Sequence, residues 1–471
     1  MNSLKRPVHL VLLSFLFIFV ACSKNDDEKT LSSSNELIKI DFPEISGGNP
    51  SIYKFQSKFY ITLPAGTNIS SILSEFQVSP GATVKVNGQL LQGNKGTINL
   101  NDILNVEVSA ENGSVKKYMV LAKEGISAID NLIYDYKTRY NIPGLSLAIS
   151  SSSTHEILYK SGYGLAEVEN PKRVQTNHLF RLASVSKQFT ALCIMKLIDE
   201  GLLTSDSKIF GAGGILGEEY PVVSQLAANV TIKHLLSHTS GWKSDPDPMF
   251  TAPYINNTLD QNISYMLTTP QNTPGASFSY YNMGYGVAGK VIEKITGKKF
   301  EVYLKEVLAL AGINDIHVGG NRAGKRSNEV VYYSQNGYNG YNNNMEMIAA
   351  AGGIIASTEQ MLKLLPYIDG KSDVPDILSG PTRDLMFTKQ ASVGATTFYT
   401  MGWRGGHRLY PGSYYHSGNL AGTGAMWVIG PEVNCVLLMN GRSYMDDFDD
   451  NMYYLLEKLV NLGKTLNAGQ N

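Results

Sequence analysis

The sequence predicts a large α/β domain built on an antiparallel sheet, preceded by a small all-β domain. Two patterns carry this. Between residues 35 and 123, short runs alternate apolar and polar residues and are separated by turn pairs. In the longer remainder, strand-like runs lie at the two ends and helical periodicity fills the middle. Ends that pair around an inserted helical region make an α/β sandwich.

The first residues read as an address. Lys5 and Arg6 precede an apolar run from Val8 to Val20, too short to span a membrane but of signal-peptide length. Ala21-Cys22 follows, a small residue before a cysteine, so residues 1–21 are expected to be a signal peptide removed to leave a lipidated Cys22. Residues 22–34 are polar and serine-rich, cannot build a core and read as a flexible tether. The acidic Asp26-Asp27-Glu28 within it resembles the export signal of Bacteroidota surface lipoproteins, and equally suits a plain linker.

Residues 35–123 carry the alternating runs Ile38–Phe42, Phe59–Leu63, Ala82–Val86, Leu104–Val108 and Lys117–Leu121. Asn87-Gly88 and Asn112-Gly113 are hairpin-turn pairs between them. An Ig-like β-sandwich is expected, acting as a spacer because no binding motif stands out. Residues 125–468 are long enough for one catalytic domain. Strands are expected near Leu145–Ile149, Ile157–Tyr163, Met426–Ile429 and Val436–Met439, and a last helix over about 447–462. The chain has 40 basic and 41 acidic residues, a balance that offers no electrostatic footprint for nucleic acid. Apart from Cys22 the cysteines are Cys193 and Cys435, each in an apolar stretch and expected to be a buried thiol.

Three motifs could supply an acyl-transfer site. Ser184-Val185-Ser186-Lys187 pairs a nucleophile with an amine, Tyr280-Tyr281-Asn282 a phenol with an amide, and His416-Ser417-Gly418 a polar strand edge. A serine attacks a carbonyl only if one group takes its proton and another holds the oxyanion. Ser-x-x-Lys also begins at Ser51, Ser114, Ser205 and Ser240, so context decides. Ser184 alone precedes a long apolar helix, with Lys187 one turn on and on the same face. Read blandly, Ser184 is an N-cap and Lys187 a solvated lysine. Gly418 permits close approach of a ligand to the strand backbone. His234 and His238 have the i, i+4 spacing of a zinc pair but no glutamate between them, and no metal site or cofactor is expected. A Gly-x-Ser-x-Gly elbow is absent, against an α/β-hydrolase triad.

Together with Pro143–Ile149, Thr231–Gly241, Ala350–Ser357 and Met401-Gly402-Trp403, these motifs resemble the serine β-lactamase and penicillin-binding-protein superfamily, in its class C-like branch, over about residues 125–465. The resemblance implies a β-lactamase-like fold, an antiparallel sheet flanked by helices with a helical subdomain. It implies Ser184 as nucleophile and Lys187 and Tyr280 as the proton-handling pair, with the base left open between them. It implies Asn282 as an orienting amide, and an oxyanion hole from the N–H groups of Ser184 and Asn419. His416, Ser417 and Gly418 would line the substrate. Many β-lactamases of this branch have lysine where this chain has His416. A fractionally charged histidine attracts a substrate carboxylate less reliably. The expected function is therefore an envelope-anchored serine hydrolase of a small ester, amide or D-amino-acid peptide, ahead of a β-lactamase. A catalytically silent envelope protein that binds peptidoglycan-like ligands or a partner is the competing class. The expected partners are a small-molecule or peptide substrate and, through the lipid anchor, a membrane.

Overall fold

The computed structural model describes residues 30–45, 49–221, 224–243, 245–371, 374–406 and 411–469. The signal peptide, Cys22 and most of the tether lie outside the described residues. No described helix is long and apolar enough to cross a membrane.

Residues 37–124 form two sheets. One orders Leu37–Asp41, Ile72–Val78 and Lys95–Ile98. The other orders Ser51–Phe55, Lys58–Leu63, Val115–Glu124, Leu104–Ser109, Thr83–Val86 and Gln89–Leu90. Every second residue points inward, as the sequence alternation requires. Leu37, Ile61, Val84, Val106 and Val108 are fully buried between the sheets. Within the second sheet, Lys58–Leu63 and Val115–Glu124 run parallel, in register from Lys58 against Met119 to Leu63 against Glu124.

The larger unit is organised by an antiparallel sheet whose strand order is Lys172–Arg173, Ile157–Glu167, Gly144–Ser151, Val433–Met439, Thr423–Ile429, Tyr414–Leu420, Arg404–Gly406, Thr397–Tyr399 and Ala391–Ser392. The chain's first and last strands in this unit pair at its centre, Leu147 facing Leu437. All eight residues of Gly144–Ser151 are buried, because helices cover both faces. On one face Leu145, Leu147, Ile149, Cys435 and Leu437 pack with helices Ser127–Arg139 and Phe448–Ala468. On the other, Ala148, Trp427, Val436 and Leu438 pack on the helical region around Ser186–Asp199. Cys193 and Cys435 belong to these two separate cores and are free thiols.

The β region does not hang from the larger unit as a loose spacer. Tyr60 and Leu121 are part of the core that includes Ile133 and Leu456. Asp130, on the first helix and fully buried, contacts Lys123 at 2.8 Å and accepts from Thr62 at 2.9 Å and from Tyr159 and Tyr163 at 2.6 Å each. Arg173 donates at 2.6 Å to the carbonyls of Ala122 and Asp102. The sequence, in which no binding motif appears, could not show this junction, because its partners are separated in the chain and only the fold brings them together.

Candidate active site

The nucleophile motif begins in a single 3-10 turn, Ala183–Val185, which runs into the helix Ser186–Asp199. Ala183 has φ +48°, a left-handed backbone that a non-glycine residue adopts only under constraint. The constraint is visible. Leu182 N–H donates to Ile354 O at 2.9 Å, Val185 N–H to Leu182 O at 3.1 Å, and Ile354 N–H to Ser186 Oγ at 3.1 Å. The turn lifts Ser184 to the surface of the core, where it is half-exposed.

Lys187, one turn along, is fully buried. Its Nζ lies 3.1 Å from Ser184 Oγ, 2.8 Å from Asn282 Oδ1 and 2.6 Å from Ala351 O. The bland reading of a solvated helical lysine is thereby excluded. Burial, reinforced by the Arg404 charge and opposed by Asp247, pushes its pKa down to about 7. Asp247 reaches the lysine only through Asn282, whose Nδ2 donates to Asp247 Oδ2 at 2.8 Å. Asp247 also accepts from Met249 N–H at 3.0 Å, and its burial raises its pKa.

Tyr280 stands beside Ser184, and its ring centre lies 5.1 Å from Lys187 Nζ. Burial pushes the phenol well above its usual range, so it stays protonated at neutral pH. The loop bearing it is clamped by His238, itself left-handed at φ +58°. His238 Nδ1 accepts from Tyr281 N–H at 3.1 Å, its carbonyl accepts from Ser279 N–H at 2.8 Å, and its ring lies 4.2 Å from that of Tyr280. His234 instead closes the capping box with Thr231, its Nδ1 accepting from Thr231 N–H at 3.2 Å. The two histidines thus have separate local tasks. Among the described residues no three His, Cys, Asp or Glu side chains gather as a metal cluster.

The third motif straddles its strand. Pairing His416 with Trp427 and Ser417 with Met426 sends alternate side chains to opposite faces. On the nucleophile side stand His416 and Gly418. A Cβ on Gly418 would lie 2.2 Å from Leu182 O and 3.1 Å from Ser184 N, so the glycine admits the nucleophile's own turn rather than a ligand. This close packing sets the Ser184 N–H beside the strand that bears Asn419. On the other side, Ser417 Oγ accepts from Tyr453 at 3.0 Å and Asn419 Nδ2 donates to Asp449 Oδ1 at 2.9 Å. Tyr453 and Asp449 are one turn apart on the last helix.

His416 does not carry the partial charge expected for it. It is 1% exposed, its Nδ1 donates to Ser417 O at 2.6 Å and its Nε2 accepts from Tyr399 at 2.9 Å. Burial and the nearby cations Arg404 and Lys187 hold its pKa well below 6.5, and it is neutral. The permanent cation beside the cleft is Arg404, on the neighbouring strand, with its guanidinium 5.6 Å from the Tyr280 ring centre and 5.7 Å from that of Tyr399. It forms no ion pair among the described residues. The sequence analysis missed Arg404, Tyr399, Asp247 and the role of His238. The only hints were that Arg404 follows Met401-Gly402-Trp403 and that His238 lies in Thr231–Gly241.

Outside the site, Arg181 is fully buried under the segment 313–346. It donates to the carbonyls of Gly340 and, at 2.8 Å, Gly320, with Tyr332 stacked 4.1 Å away.

Comparison with known proteins bears on the family and the fold. Penicillin-binding protein 4* of Bacillus subtilis (strain 168) is 35% identical over 176 residues, 36% of this chain and 36% of that protein. The chain therefore aligns with about a third of that relative's length. Among solved structures, the octameric penicillin-binding protein homologue from Pyrococcus abyssi superposes with a TM-score of 0.59 at 24% identity, covering 71% of this chain and 77% of the other. The D-amino acid amidase from Ochrobactrum anthropi SV3 gives 0.59 at 21% identity, covering 72% and 99%. These two likenesses speak for the fold. The beta-lactamase family model matches residues 129–458, most of the chain and all three motifs, and the chain belongs to the beta-lactamase family of serine hydrolases.

Proposed function

We propose that this chain hydrolyses a small ester, amide or D-amino-acid peptide through an acyl-enzyme on Ser184. The observation that carries the reading is the set of partners around Lys187. A neutral amine has two N–H bonds and one lone pair. The two hydrogens are taken by Asn282 Oδ1 and Ala351 O, which leaves the lone pair to accept the proton of Ser184, 3.1 Å away. With its pKa near 7 the amine is available in that form at neutral pH. Tyr280, held protonated, is the donor to the leaving group rather than the base. As the C–O or C–N bond breaks, the phenol gives up its proton and regains one from Lys187. The N–H groups of Ser184 and Asn419 hold the oxyanion.

Arg404, rather than His416, would receive a substrate carboxylate. The decisive experiment is acylation. A fluorophosphonate probe should label Ser184, found by peptide mass spectrometry, and chromogenic esters or D-Ala-D-Ala peptides should be turned over ahead of a cephalosporin. Labelling of another serine, or a folded protein inert to every member of the panel, overturns the reading. Anchoring by lipid on Cys22 is proposed on the charged and apolar pattern of residues 5–22. Recovery of the wild type wholly in a soluble periplasmic fraction rules it out.

A further inference from the structure

A cavity of about 300 Å³ lies between the β region and the hydrolase unit, and none of its walls belongs to the catalytic site. Phe55, Lys58 and Tyr60 bound it from one side, and Lys137, Pro143 and Tyr333 from the other. Its lining includes two lysines and no carboxylate.

Lys137 is the unusual wall. It stands in the last turn of helix Ser127–Arg139 and is 6% exposed. Its one hydrogen-bond partner is the Tyr60 hydroxyl at 3.1 Å, and the same ring lies 4.8 Å from Nζ. An ammonium carries three donors, so among the described residues two of its hydrogens have no acceptor. Gly164 keeps the room open, since a Cβ there would lie 2.4 Å from Lys137 Cε and 3.0 Å from Nζ. Lys58, on the strand that also bears Tyr60, forms no ion pair among the described residues. Burial, together with the Lys58 charge, pushes the Lys137 pKa down to about 7. A buried amine with no counter-charge is costly unless something completes it.

We propose that this inter-domain cavity binds a small organic carboxylate, its charge against Lys137 and Lys58 and its apolar body against Phe55 and Tyr60. Two cations without an acid select an anion. The aromatic walls select an organic one, and the volume, at the low end for ligand pockets, limits its size. Because both units contribute walls, the bound anion holds them together and stabilises the folded chain by mass action. The proposal is independent of the catalytic reading.

Benzoate and its neutral isostere benzamide are the probes, with the full chain. Benzoate is expected to bind saturably and to raise the thermal midpoint, while benzamide does neither. Since Lys137 must be charged to hold the anion, binding at pH 8 should take up a proton, read by calorimetry in two buffers of different ionisation heat. Affinity should fall as pH rises above about 7. Lys58→Gln should weaken benzoate several-fold, Lys137→Met should abolish its binding, and Ser184→Ala should leave it unchanged. If Lys137→Met does not fold, Lys58→Gln and Tyr60→Phe, with the proton uptake, decide. Equal effects of benzoate and benzamide, no saturable binding, binding without proton uptake, or loss of binding after acylation of Ser184 each overturn the proposal.

Discussion

Lys123 is largely and Lys187 fully taken out of water, and the fold gives them different partners. Lys123, at the junction, touches a carboxylate directly, Asp130 at 2.8 Å, and Tyr159 and Ser161 lie 2.9 and 2.8 Å from it. Lys187 touches neutral acceptors, and its carboxylate, Asp247, stands one residue behind Asn282. Burial lowers the pKa of both amines, but at Lys123 the touching carboxylate opposes that shift and makes the amine a structural tie. An interposed amide relays the orientation but dilutes the charge, and the amine becomes free to lose its proton. What separates a structural polar cluster from a catalytic one here is the identity of the atom in contact, together with the completeness of burial, since Lys123 keeps some exposure and Lys187 none.

Exchanging the two roles gives the largest effects. Lys187→Ala should cut kcat by ~10²–10⁴-fold, as loss of proton transfer does, with the urea midpoint nearly unchanged. Asp130→Ala strands the buried Lys123 charge and should cost about 3–5 kcal/mol of stability, while the folded fraction retains its kcat. Both variants losing activity and stability together would erase the distinction.

The acid limb comes next. Lys187 must be neutral to act, so kcat/KM should fall as pH drops through about 7. Asp247 raises the lysine's pKa, so Asp247→Asn should move that limb to lower pH. A limb that moves up, or stays, contradicts the charge relation between the two residues.

Smaller effects separate the cations of the cleft. Arg404→Gln should raise KM for carboxylate-bearing substrates by a factor worth about 1 kcal/mol and leave neutral esters alone. His416→Gln, removing a neutral residue, should change both substrate classes alike. Of comparable size, Tyr453→Phe removes one hydrogen bond to Ser417, worth about 0.5–1.5 kcal/mol. It should appear in KM and not in kcat.

The three motifs and the sheet's end-to-end pairing were legible because both are local or periodic signals. Ser184, Lys187, Tyr280 and Asn282 do converge, and the strands expected around Leu145, Met426 and Val436 are present, each extended by a few residues. Other features depend on exposure, which residue type does not reveal. His416 was read as fractionally charged because histidine in water is; burial, with Arg404 and Lys187 nearby, makes it neutral. Asp247 sits in a proline-rich turn with no motif around it, and Arg404 on a three-residue strand. In the β region, Ile72–Val78 escaped notice because a buried serine, Ser74, interrupts its apolar alternation. Lys95–Ile98 has a single apolar residue to show.

Gly418 has a consequence for how this scaffold can diversify. With its Cβ position 2.2 Å from Leu182 O, the spacing between the strand and the nucleophile's turn is set by main chain against main chain. Stabilisation of a developing negative charge by backbone donors then survives exchanges of the side chains that point away, Ser417 and Asn419 among them. New substrates can be explored along the rim while the electrophilic half of the chemistry is inherited intact. The same contact sets a hard boundary, because any residue larger than glycine at 418 would push the strand off the serine and take that inheritance away from every descendant at once.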